Sequence, residues 1–142
     1  MKIVLLLKKY VVIFGAWCEM KSPLIYAYLG DCIYEFYVRR FLISKNICKL
    51  KDLQKESLKY VSAVSQRKIY EKLSEFGFLT SEEEEIIKWG RNAHGSKAKH
   101  ADIVTYRIAT GFECLLGYLY YNEKESRIKE IMEEVFKYES LW

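Results

Sequence analysis

A chain of 142 residues, 51% of them hydrophobic, has the size of one ordinary domain and enough apolar material to bury a core. Its net charge of +4 is too small to point to nucleic acid by itself, and one proline with seven scattered glycines excludes a low-complexity tract or a flexible hinge. The cysteines Cys18, Cys32, Cys48 and Cys114 lie far apart with no Cys-x-x-Cys pair, which speaks against zinc and a disulfide scaffold and for free thiols in a reducing cytoplasm.

Residues 1–19 read MKIVLLLKKYVVIFGAWCE. Lys8 and Lys9 split them into two apolar runs, too broken for a membrane span of roughly 20 apolar residues, and no small-residue cleavage site of a secretory signal follows. We expect an N-terminal extension or a misassigned start there, a domain proper over 20–142, and no membrane association. Ser22 and Pro23 then make a helix start, the serine capping free N–H groups and proline taking the first helical position. That helix should run to about Ser44. Its interior, LIYAYLGDCIYEFYVRRFLI, is apolar almost all round, which marks a helix buried in a bundle or against a partner.

From Leu50 to Phe76, apolar residues at Leu50, Leu53, Leu58, Val61, Val64, Ile69 and Leu73 fit one or two amphipathic helices ended by Gly77. Thr80 or Ser81 caps the next, whose first turn holds the acids Glu82 to Glu85 favoured by the helix dipole; it should carry Ile86, Ile87 and Trp89 inward and fade near Asn92. His94 to Ala101 has the composition of an exposed loop. Asp102 caps a helix holding Val104, Ile108, Phe112, Leu115, Leu116 and Leu119 and ending near Tyr121 and Asn122. A last helix, with Ile128, Ile131, Met132, Val135 and Phe136 at helical spacing, spans about Glu123 to Tyr138. No segment alternates with period two, so the fold class is all-α, a bundle of five or six helices.

Charge is unevenly spread. Lys88, Arg91, Lys97, Lys99 and Arg107, with His94 and His100, stand against the single acid Asp102, while the compensating acids sit in Glu82 to Glu85 and from Glu123 onward. A basic strip of this kind suits a polyanion, although a solvated loop has the same composition.

Two acids are anomalous. Asp31 follows Gly30 in the middle of the first apolar helix, where both residues are poor helix formers. A buried carboxylate costs several kcal/mol unless it meets a cation, a metal or strong donors; an ion pair with an arginine such as Arg107 is the plainer alternative. Glu35, four residues on, shares its face. Glu113 repeats the anomaly in ATGFECLLGYLY, where Ala109, Gly111 and Gly117 allow another helix to approach closely, the obvious partner being the one that carries Gly30. Two such carboxylates on facing helices form a hard-oxygen site suited to Mg²⁺ or Mn²⁺, the alternative being two capped or paired core acids. The tyrosines Tyr26, Tyr28, Tyr34, Tyr37, Tyr118, Tyr120 and Tyr121 cluster on the same two helices, and we read them as core or dimer surface rather than as base-stacking groups.

YLGDCIYEFYVRR, at Tyr28 to Arg40, is similar to the signature helix of the ribonuclease III superfamily. KWGRNAH, at Lys88 to His94, and TYR followed by TGFECLLGYLY, at Thr105 to Arg107 and Thr110 to Tyr120, look like the downstream segments of its compact bacterial form, Mini-ribonuclease III. Residues 24–121 resemble that catalytic domain. The resemblance implies a dimeric all-α endoribonuclease that cuts each strand of double-stranded RNA at one of two metal sites. Of the four acids per subunit in full-length ribonuclease III, Asp31 and Glu113 match two as catalytic metal ligands. Ala27, four residues before Asp31, and Thr110, three before Glu113, stand where the others would be, a reduced pattern that Mini-ribonuclease III shares. One Mg²⁺ per site is expected, with Mn²⁺ able to substitute and Glu35 as an outer carboxylate. No double-stranded-RNA-binding domain follows in this sequence, so the catalytic domain itself should grip A-form shape and phosphates, with Arg91, Asn92, Lys97, Lys99 and His100 as candidate RNA contacts. The family's task implies maturation of the large-subunit (23S) ribosomal RNA precursor. The alternatives are a non-catalytic double-stranded-RNA-binding module of the same fold and a helical protein-interaction domain.

Overall fold

Ser22 accepts a hydrogen bond from the Leu24 N–H, and with Pro23 at the first helical position α1 runs Pro23–Ser44. The computed structural model describes residues 21–93 and 102–141, with the side chains of the last two left aside. Within them follow α2 (Leu50–Val61), α3 (Ala63–Glu75), α4 (Ser81–Arg91), α5 (Ile103–Tyr121), α6 (Glu125–Phe136) and a short 3-10 turn over Lys137–Leu141. None of the described residues is in a strand, so the fold is all-α as expected. Residues 1–19, with the expected domain start, and the segment 94–101, with Lys97, Lys99 and His100, lie outside the described residues.

The local signals act where the sequence puts them. Thr80 and Glu83 close a reciprocal capping box at the start of α4, Asp102 accepts from the Val104 N–H at the start of α5, and Gly77 ends α3 in the left-handed region at φ +62°, a conformation that costs a residue with a Cβ about 1–2 kcal/mol. The last helix starts two residues later than expected because Glu123 itself adopts a positive φ of 59°.

α5 is the axis of the bundle. Its residues Phe112, Leu115, Leu116 and Leu119 meet Tyr34, Val38 and Leu42 of α1, Ile69 and Leu73 of α3, Ile87 of α4 and Ile128, Ile131, Met132 and Val135 of α6 in one core. Two glycine crossings set how close the helices come. A Cβ on Gly30 would lie 1.7 Å from the Glu113 carbonyl oxygen, and one on Gly117 1.8 Å from that of Tyr26, so α1 and α5 touch backbone to backbone. α4 meets α5 in the same way, Gly90 against Gly111 and Cys114. The small residues of α5 thus serve two partners, Gly117 receiving α1 and Gly111 receiving α4.

Three expectations about direction are corrected. Asp31 is exposed, because the buried line of α1 runs through Tyr26, Ala27, Gly30, Ile33, Tyr34, Val38 and Leu42 and the residue after Gly30 is turned about 100° off that line. Trp89 is 40% exposed: α4 presents Glu83, Ile87 and Gly90 to the bundle, and the indole falls to the side, its ring 6.1 Å from that of Tyr26. Val104, in the first turn of α5, is also exposed. The all-round apolar character of α1 is explained by a second face, Ile25, Tyr28, Phe36 and Ile43, which is exposed.

Candidate active site

The Gly30 crossing makes the site. Because α1 rests on the Glu113 carbonyl at Gly30, the next side chain, Asp31, stands beside that of Glu113. Both line one open pocket of about 280 Å³ with Leu24, Ala27, Tyr28, Tyr106 and Thr110. Ala27 and Thr110 are the two positions where the sequence lacks further acids, and both are in that wall.

The pair is electrostatically strained. Burial pushes the Glu113 carboxyl up to about 7, against a hydrogen bond from Gln66 that favours the ionised form; the negative charge of Asp31 and a hydrogen bond to it add to the rise. Asp31 is raised as well, by desolvation on its inner side and by the charge of Glu35, while its bond with Glu113 opposes the rise. Each carboxyl therefore resists ionising beside the other, Glu113 the more strongly because it is the more deeply buried. Two oxygen-rich groups that resist ionising side by side are what a dication stabilises. Among the described residues no group of three or more metal-ligating side chains occurs, so an ion here would keep several waters, as Mg²⁺ does.

Asp31 forms no ion pair among the described residues, and Arg107 is exposed without one, which leaves the expected arginine partner unfilled. Glu35 is half-exposed and paired with Arg39, Nη2 to Oε1 2.5 Å; it faces a groove between α1 and α2 and reaches Asp31 through its charge. Arg91 and Asn92 form the C-terminal end of α4, Asn92 as its cap, and neither lines the acid pocket. Sequence reasoning missed Gln66. It is 1% exposed, and its Nε2 donates to Glu113 Oε1 at 3.0 Å. Its signal was a glutamine one turn before Ile69 on the buried line of α3.

Residues 24–124 match the ribonuclease III domain model. The chain belongs to the ribonuclease III family. It is 46% identical over 119 residues to Mini-ribonuclease 3 of Brevibacillus brevis, an alignment covering 83% of this chain and 87% of the relative. It is 45% identical over 107 residues to that of Streptococcus pneumoniae, covering 75% and 84%, and 38% identical over 118 residues to that of Staphylococcus aureus, covering 82% and 88%. A crystal structure of a Fusobacterium nucleatum protein superposes with a TM-score of 0.74 at 30% identity, covering 85% of this chain and 96% of that one. The protein is an endoribonuclease of the ribonuclease III type, so a non-catalytic module of the same fold and a mere interaction domain are set aside. No helix among the described residues is long and apolar enough to cross a membrane.

Proposed function

We propose that the protein is a homodimeric, metal-dependent endoribonuclease that cuts double-stranded RNA, with Asp31 and Glu113 as the catalytic acids of each subunit. The observation that carries this is the close approach of two carboxyl groups, one lifted to about 7, in an open pocket of a ribonuclease III domain. One Mg²⁺ per site, with Mn²⁺ as a substitute, would be held by the Asp31 and Glu113 oxygens and would supply charge neutralisation at the scissile phosphate and an activated water. Glu113 would take that role as its carboxylate, and Asp31, which is exposed, would form the side of the site nearest substrate. Glu35 keeps the local potential negative. Arg91 and Asn92, with Lys97, Lys99 and His100 beyond the described residues, are the proposed phosphate contacts, in keeping with recognition of A-form shape.

Dimerisation is supported by the apolar groove between α1 and α2, where Ile43, Leu50 and Leu58 stand well exposed beside Leu42, Leu53 and Val61. An apolar face of this kind set on a two-fold axis would give an isologous interface and two sites for the two strands of one duplex. The free thiols of Cys32, Cys48 and Cys114 support a reducing, cytoplasmic setting. The domain proper is taken to start near Met20, in keeping with a family match from residue 24. The proposed natural substrate is the 23S ribosomal RNA precursor, a reading that rests on the family resemblance.

The test uses an RNA duplex labelled on each strand in turn and the same strands unpaired, with Mg²⁺ or with EDTA. Magnesium-dependent cuts in both strands of the duplex and none in the single strands are expected. Cutting of the single strands alone, or cutting in EDTA, would refute the duplex-specific, metal-dependent reading. Mapping of 23S precursor ends in cells lacking the protein tests the substrate; unaltered ends would refute that part.

A further inference from the structure

We propose that Gln66 is a positioning residue for the acid pair, holding Glu113 in the one orientation in which it and Asp31 can share a divalent cation. The inference rests on the reading of these two acids as a cation site. Gln66 lies on α3, and its side chain is wholly enclosed at 1% exposure. Its Nε2 donates to Glu113 Oε1 at 3.0 Å and to the Val61 carbonyl oxygen at 3.3 Å, while its Oε1 is buried with no hydrogen-bond partner among the described residues. Both partners are acceptors, so only the nitrogen end of the amide can face them; turned round, it would set oxygen against oxygen. An amide that leaves its own oxygen unmatched in order to present its nitrogen is oriented toward Glu113 rather than toward general packing.

The neighbouring residue ties the same helix to α5 a second time. The next residue, Arg67, donates from Nη1 to Thr105 Oγ1 at 2.9 Å and pairs with Asp102 at 3.4 Å and with Glu71 at 2.8 Å. Thr105 Oγ1 in turn donates to Asp102 Oδ2 at 3.1 Å. α3 is therefore tied to α5 at its first turn through Arg67 and about two turns further along through Gln66. A carboxylate fixed by a buried donor from a clamped helix loses little freedom when it takes a metal, and groups that orient metal ligands in this way typically contribute about 10–100-fold in affinity.

Mn²⁺ binding to the full chain, followed by the electron paramagnetic resonance signal of the free ion, tests this on wild type, Gln66→Met, Gln66→Asn and Glu113→Gln, each with its unfolding midpoint. Methionine keeps the volume without the donor, and asparagine keeps the amide but draws it back by one methylene, so one variant serves if the other fails to fold. We expect folded Gln66 variants to bind Mn²⁺ about 10-fold or more weakly, and the Mn²⁺ concentration for half-maximal duplex cleavage to rise by the same factor while the rate at saturating Mn²⁺ falls much less. Unchanged Mn²⁺ affinity with only a lower unfolding midpoint would assign Gln66 a purely structural role and overturn the proposal, leaving the acid pair intact. Failure of wild type to bind Mn²⁺, or equal binding by Glu113→Gln, would overturn the cation-site reading and this proposal with it.

Discussion

Replacing Gly30 by alanine sets two physical effects against each other. Alanine is the better helix former by about 0.8–1.0 kcal/mol, and in an open helix Gly30→Ala would stabilise. Here the new Cβ would lie 1.7 Å from the Glu113 carbonyl oxygen, 2.6 Å from its carbon and 2.9 Å from the Gly117 nitrogen. All three are backbone atoms of a central helix, with no side chain to swing aside, so α1 and α5 must part by more than about 1 Å. Overpacking of this kind costs about 1–3 kcal/mol and more where backbone must move; taking the upper end and subtracting the propensity gain leaves a loss of about 2 kcal/mol. For a domain of this size that is roughly 6–10 °C in unfolding midpoint. Asp31 moves with α1 while Glu113 stays on α5, and a misplacement of about 1 Å costs on the order of 100-fold in rate. Thermal unfolding by circular dichroism and single-turnover cleavage of a labelled duplex measure both. A midpoint that rises by a few degrees with unimpaired cleavage would refute the backbone-to-backbone crossing and the account of how it forms the site.

Other outcomes follow from particular contacts. Arg127 donates to both oxygens of the buried Glu83, from Nε at 2.7 Å and Nη2 at 3.0 Å, and to the Phe78 carbonyl oxygen at 2.8 Å; Arg127→Ala, which leaves that carboxylate unpaired, should cost about 2–4 kcal/mol in urea unfolding. Burial alone would raise Glu83, but the bonds from Arg127 and the Thr80 N–H outweigh it and hold the group below its ordinary value; its stabilisation is present above the unfolded-state value and is lost as pH falls through the lower folded one, so the acid arm of the stability curve should flatten in Arg127→Ala. Glu113 has the opposite sign: with a folded value near 7, its contribution is full below the unfolded value of about 4.3 and is lost as pH rises through 7, at most about 4 kcal/mol. Metal-free wild type should thus lose stability between about pH 4.5 and 8 where Glu113→Gln does not; a variant with the same pH slope would refute the raised value. Ile43→Glu and Leu58→Glu, made on the exposed face beside the groove, should convert dimer to monomer in light scattering, and a wild type that is already monomeric at micromolar concentration would refute the two-site arrangement.

Much of this was legible in the sequence because the signals were local. The serine before Pro23, the Thr80–Ser81 pair before the acids of α4, Gly77 and Asp102 each act on their own backbone neighbours, and each marks a helix end where expected. The meeting of Asp31 with Glu113 could be read because each acid stands in an apolar helix that also carries small residues, which marked the two helices as close partners. The burial cost holds for Glu113 and not for the exposed Asp31. What could not be read depends on helix rotation. Gly30 turns its own position toward α5, which leaves Asp31 facing out, and Gly90 does the same to Trp89. Beyond its spacing from Ile69, Gln66 carries no mark in the sequence that sets it apart from the other polar residues of α3; only the packing of α3 against α5 brings it to Glu113. α1 reads as buried in a bundle or against a partner because apolarity alone does not say what covers each face of a helix.

The most direct test of the central claim is duplex cleavage in Mg²⁺ by Asp31→Asn and Glu113→Gln proteins shown by circular dichroism to be folded. Wild type is expected to cut both strands and each variant to lose that activity by several orders of magnitude while still binding the duplex. Cleavage near the wild-type rate by either folded variant would contradict the assignment of these two acids as the catalytic pair.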